Sequence, residues 1–154
     1  MGKKIGRSSI LFEKEVFLLN SASIVGKKEG EGPLGGLFDL VGNDDLFGCD
    51  SWEEAESTLQ NEAVRFALEK SAVKAEEISF LFAGDLLGQS IATSFGIASY
   101  EIPLLGVYGA CSTCGEALAL GSICISAGYA DKVMCVTSSH FASAEKEFRF
   151  PLEY

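Results

Sequence analysis

Cys111 and Cys114 lie in the stretch Gly109-Ala110-Cys111-Ser112-Thr113-Cys114-Gly115-Glu116, a turn of small residues between two apolar segments. Leu104, Leu105, Val107 and Tyr108 before the turn read as a buried strand, and residues from about 112 to 128 as a helix. A cysteine at such a strand-to-helix elbow faces unpaired helix N–H groups and the positive end of the helix dipole. That setting favours a thiolate nucleophile, or holds a bound anion in its place. The elbow is therefore either catalytic or built to bind an acid. Two further residues of suitable chemistry follow other strand patterns. Asp85 comes after the apolar run 78–83, and His140, the only histidine, after 133–137. Open α/β sheets form their sites beyond the carboxyl ends of the strands. Cys111, Asp85 and His140 share that placement.

Each residue carries a plainer reading beside the chemical one. Cys111 as a nucleophile requires a base and an oxyanion hole. With Cys114 it makes a Cys-x-x-Cys pair of redox spacing, although no Trp-Cys or Pro signature flanks it. A zinc site needs two more ligands, and no second Cys-x-x-Cys or Cys-x-x-His is present, so no metal is expected. Asp85 either orients a ligand or caps the helix after it. His140 is a site residue or a hydrogen-bonded structural one. Arg149, between Phe148 and Phe150, can pair with a dicarboxylate or pack at an interface.

The elements that must position these residues are legible from pattern. Residues 9–25 suggest two short strands or a bent hairpin around Glu13 and Lys14. The glycine-dense loop 26–36 lacks the Gly-Lys-Ser/Thr ending of a phosphate-cradling loop, so no nucleotide site is expected there, and the reading carries no cofactor. Ser51 with Glu54 forms a capping box that starts a helix to about residue 70, with Trp52, Ala55, Leu59, Ala63, Phe66 and Ala67 on one face. A strand at 78–83, a weaker helix at 89–99, the strand at 104–108, the elbow helix and a strand at 133–137 follow. Helix and strand alternate from residue 51 on, which predicts an α/β layered fold with a mostly parallel sheet. The elbow helix has no polar face and should be buried all round. A chain of 154 residues cannot easily do that alone, so a partner subunit or a second half must cover it.

Composition narrows the function classes. The length suits one domain, 1–154, and 47% apolar residues with a mean hydropathy of +0.22 is rich for it. Net charge is −10, from 22 acidic and 12 basic residues, which makes nucleic acid an improbable partner. Five cysteines, an odd number without a secretory signal ahead of them, fit a reducing cytoplasm. Cys124 and Cys135 fall in a helix and a strand that read as buried. The weakly polar run 117–130 is too short to cross a bilayer.

The elbow resembles the nucleophile turn of the thiolase and ketoacyl-synthase superfamily, where a cysteine caps a buried helix. Most of the chain resembles one branch, the stage V sporulation AD family of spore-forming bacteria. The segments that carry it are 17–23, Gly32-Pro33-Leu34-Gly35, Leu37-Phe38-Asp39, Trp52-Glu53, Ala83-Gly84-Asp85-Leu86-Leu87, Gly109 to Thr113, Thr137-Ser138-Ser139-His140 and 148–154. The resemblance implies a thiolase-like fold of two α/β halves, usually dimeric, of which this chain supplies the first. It implies a role in handling dipicolinic acid or its calcium salt. With no base or oxyanion hole legible for Cys111, the reading is a sporulation protein that binds the acid or helps move it into and out of the spore without catalysis. Cys111, Ser112, Asp85, His140 and Arg149 would line the ligand. Membrane proteins of the spore dipicolinate channel would be partners, and the place would be the cytoplasm or forespore beside the inner membrane. The alternatives are an acyl-transferring condensing enzyme with Cys111 as acyl acceptor and a Cys111/Cys114 dithiol redox protein. The chain departs from the family in stopping near the end of the first half, and in Cys114, where a small residue such as Ser is expected.

Overall fold

The computed structural model describes residues 2–149, with side chains through residue 146. A hairpin of β1 (Lys3–Ile5) and β2 (Ser9–Leu11) opens the chain. Its turn falls at Gly6, whose φ of 58° suits glycine, and not at Glu13-Lys14 as the pattern suggested. Residues 12–23 join no ladder, and Phe17, Leu18 and Leu19 stay 70%, 76% and 64% exposed. Only β3 (Ile24–Val25) pairs, in parallel, with β4 (Leu40–Val41). The glycine-dense loop between them holds one helical turn, α1 (Lys27–Gly30). Asp39 anchors this unit to the rest of the chain. Its carboxylate accepts from the Ser23 amide at 2.8 Å and from Lys70 Nζ at 2.7 Å, and the lysine holds it below the usual carboxylate range.

The main body is α/β. A three-stranded parallel sheet runs in the order β6 (Leu104–Gly106), β5 (Phe80–Gly84), β7 (Val133–Thr137). On one face lie α2 (Trp52–Ser71) and α3 (Ile91–Gly96); Leu81, Ala83, Met134 and Val136 pack there in one core with Val64 and Ile97. Alternation along the strands turns Phe82 and Cys135 to the other face, which α4 (Thr113–Ala127) covers. A Cβ added at Gly121 of α4 would meet Val133, Cys135 and Phe82 within 4 Å, so glycine permits that close approach. The last element, α5 (Phe141–Arg149), packs beside α2.

Three expectations change. The strand at 104–108 is buried only at Val107: β6 is the sheet's edge, and Leu104, Leu105 and Tyr108 remain exposed because nothing described lies beyond it. The elbow helix is not buried all round. Thr113, Ala117 and Gly121 face the sheet, while Leu118, Leu120 and Ile123 are about two-fifths exposed or more; Cys124 and Cys135 are half-buried. Its continuous helical run, Ala110–Ala127, is 18 residues long with a hydropathy of 1.3, longer than the apolar run read from sequence. By length and composition alone it reaches the range of a membrane span, a test that the core helix of a soluble protein also passes.

The long helix α2 starts as expected. Ser51 Oγ accepts the Glu54 amide at 3.2 Å, while Glu54 Oε2 reaches back one residue further, to the Asp50 amide. Its buried face is rotated from the predicted one. Ala55, Glu56, Leu59, Gln60 and Val64 are buried, whereas Trp52 is 41% exposed. Two polar residues thus point into the protein.

Candidate functional site at the carboxyl ends of the strands

Register brings the three strand ends level. Ala83 pairs with Gly106, and Gly84 with Thr137. The loops carrying Asp85, Cys111 and His140 therefore leave one end of one sheet, as the sequence predicted. Gly84 is the hinge of the arrangement. Its carbonyl accepts from the Ser138 amide at 3.2 Å and from Gln60 Nε2 at 3.3 Å. A Cβ at this position would stand 1.9 Å from the Val107 carbonyl oxygen and 2.8 Å from Thr113 Cγ2. The backbone that leads to the elbow thus rests directly on glycine.

The elbow is a tight, self-bonded turn. Ala110 sits at φ 48°, a left-handed conformation that costs a residue with a Cβ about 1–2 kcal/mol. The Gly109 amide donates to Thr113 Oγ1 at 3.1 Å, and the Ser112 amide and Oγ both donate to the Gly109 carbonyl, at 3.0 and 2.7 Å. Ser112 Oγ also meets the Glu116 carboxylate. Cys111 is exposed, and no side chain caps α4. What the sequence could not place is Glu116, which folds back over Ser112 and sets a negative charge beside the elbow. Any acid bound at this helix end meets that charge.

Asp85 and His140 are buried, 1% and 8% exposed, and both are fully engaged. Asp85 Oδ1 accepts the Leu87 amide at 2.8 Å; Oδ2 accepts the Thr93 amide at 2.8 Å and Thr93 Oγ1 at 2.5 Å. It caps the first turn of α3 from outside the helix, the plainer of its two readings. His140 Nε2 lies 2.6 Å from the Asp45 carbonyl, which can only accept, so that nitrogen carries the proton. Nδ1 then accepts the Ser143 amide at 3.4 Å.

Between these two residues runs a buried polar chain that pattern reasoning missed. Gln60 Nε2 donates to Thr93 Oγ1 at 2.9 Å and to Ser138 Oγ at 2.8 Å. Ser138 Oγ donates to Glu56 Oε1 at 2.8 Å, and Ser143 Oγ lies 2.6 Å from Glu56 Oε2. The Gly84 carbonyl fixes the Gln60 amide with Nε2 toward the strands, and its Oε1 is buried without a partner among the described residues. Asp85 and His140 therefore belong to one network. No hydrogen bond among the described residues joins either to Cys111 or Ser112. The side chain of Arg149 lies outside the described residues.

The thiols differ in accessibility. All five described cysteines are free. Cys111 and Cys114 are exposed, whereas burial, with the charge of Cys114 adding to it, pushes the Cys135 thiol up to about 11. Iodoacetamide at pH 7.5 is expected to modify Cys111 and Cys114 well before Cys135, as read by peptide mass spectrometry over time. Equal rates at all three would contradict the described burial.

Comparison with known proteins supplies the family. The family model for stage V sporulation protein AD matches residues 6–154. Stage V sporulation protein AD of Bacillus subtilis (strain 168) is 39% identical over 152 residues, covering 99% of this chain and 45% of that protein. The chain thus spans about half the length of the curated relative it matches. With the match running through the strand ends and the cysteine elbow, the chain belongs to the stage V sporulation protein AD family.

Proposed function

We propose that this chain is the first half of a thiolase-like protein that serves sporulation by binding dipicolinic acid at the Cys111 elbow, without catalytic turnover. Membership of a sporulation family supports the setting. The exposed thiol at the uncapped start of the 15-residue helix α4 is the observation that carries the ligand site. His140 favours binding over turnover, since its Nε2–H and Nδ1 are committed to Asp45 and Ser143 and offer Cys111 no free base. The bare apolar side of α4 and the open edge of β6 are surfaces for the second half of a family-length chain or for a dimer partner. Membrane proteins of the dipicolinate channel are the further partners, and the cytoplasm or forespore, beside the spore inner membrane, is the place.

Glu116 refines the ligand. The free dianion meets a carboxylate at the elbow, whereas its calcium salt is neutral and offers that carboxylate a hard cation. Calorimetric titration is expected to give tighter binding of calcium dipicolinate than of dipicolinate alone. Glu116→Gln is expected to narrow the gap several-fold, by relieving the repulsion of the dianion. Failure of both forms to bind folded protein would sink this reading. Stable acylation of Cys111 by an acyl thioester would favour the condensing-enzyme alternative.

A further inference from the structure

We infer that the groove between the start of α2 and α3 docks a cationic amphipathic segment of a partner protein. The groove has a volume of about 580 Å³, within the range of pockets that seat large apolar groups. Its apolar wall is Phe95 and Ile91, 73% and 43% exposed, a poor place for large side chains unless something covers them. Its rim carries Asp50, Glu53 and Glu54.

Charge selects the occupant. Between Lys28 and Arg65 the sequence holds ten acidic residues and no lysine or arginine. The rim falls inside that stretch, with Asp44 and Asp45 in the loop before it. Lys146 of α5 pairs with Glu53 at 2.6 Å and shows how an incoming lysine can be held there. A segment with Leu or Phe on one side and Lys or Arg on the other would bury Phe95 and neutralise Asp50 and Glu54 together. An acidic or nucleic-acid partner would be repelled. The groove lies on the α2–α3 layer, across the sheet from the bare face of α4, so a cover over α4 leaves it open.

The test uses the whole chain and a 14-residue Lys/Leu amphipathic peptide free of aromatic residues. Emission of the single tryptophan, Trp52, at the first turn of α2 reports binding at 150 mM salt. One-site binding is expected, weakened at least tenfold by Phe95→Ala and about threefold by Asp50→Asn. Phe17→Ala, at an equally exposed phenylalanine outside the groove, should leave it unchanged. Equal effects of Phe95→Ala and Phe17→Ala, or no effect of either, would reduce the binding to general charge attraction and overturn the proposal. Two other results would also overturn it: displacement of the peptide by zwitterionic vesicles in a Phe95-dependent way, or a Phe95-dependent dimer of the chain in sedimentation without peptide.

Discussion

Gly84→Ala should lower the free energy of unfolding by about 3 kcal/mol or more, the upper end for overpacking, because backbone stands in the way. The added methyl would lie 1.9 Å from the Val107 carbonyl oxygen and 3.0 Å from its carbon, neither of which can rotate aside. Relief requires the end of β5 to part from the segment that leads into the elbow. The Val107 amide donates to the Ala83 carbonyl at 2.8 Å, so the same movement strains the last bond of the β5–β6 pair. Denaturant unfolding followed by Trp52 emission measures the loss. The rate of Cys111 alkylation should change in the same variant, since the turn at Ala110 hangs from that backbone. A variant within 0.5 kcal/mol of the parent would mean that the strand ends are looser than described.

Glu56→Ala should cost about 3 kcal/mol, the scale of deleting a buried hydrogen-bonded side chain and leaving its cavity. Glu56 is fully buried, and its carboxylate takes up the hydroxyls of Ser138 and Ser143. Removing it takes the acceptor from the half-buried Ser138 hydroxyl, returns the buried Ser143 hydroxyl to the His140 carbonyl at 3.0 Å, and leaves a cavity between α2, the β7 loop and α5. Glu56→Gln keeps the volume and one acceptor oxygen, and a serine hydroxyl can turn to accept from the new amide. Its cost should be nearer 1 kcal/mol. Comparison of the two by the same unfolding measurement separates the hydrogen bonds from mere volume. Equal costs would assign Glu56 a filling role only.

The alternation of helix and strand was legible because the central strand is a short continuous apolar run at 80–84, α2 carries a start signal at Ser51, and α4 follows a turn of small residues. The carboxyl-end placement of Asp85, Cys111 and His140 followed from strand ends alone. The buried network was not legible. Glu56 and Gln60 sit four residues apart beside Ala55 and Leu59, a spacing that marks one helix face, yet polar residues are ordinarily assigned to solvent. Their presence next to Ala55, Leu59 and Val64 was the available signal. Ala110 escaped because positive φ ordinarily points to Gly, Asn or Asp, and alanine carries no such signal. The exposure of α4 and β6 is of a third kind. Sequence pattern reports what a segment is fit to bury, and among the described residues nothing covers the outer side of α4 or the open edge of β6.

Protection of Cys111 from alkylation by calcium dipicolinate tests the central claim most directly. The reading predicts that the rate at Cys111 falls saturably with ligand, while that at Cys49, in the α2–α3 groove, stays constant. An unchanged Cys111 rate at concentrations where calorimetry detects binding would place the ligand elsewhere and contradict the elbow as its site.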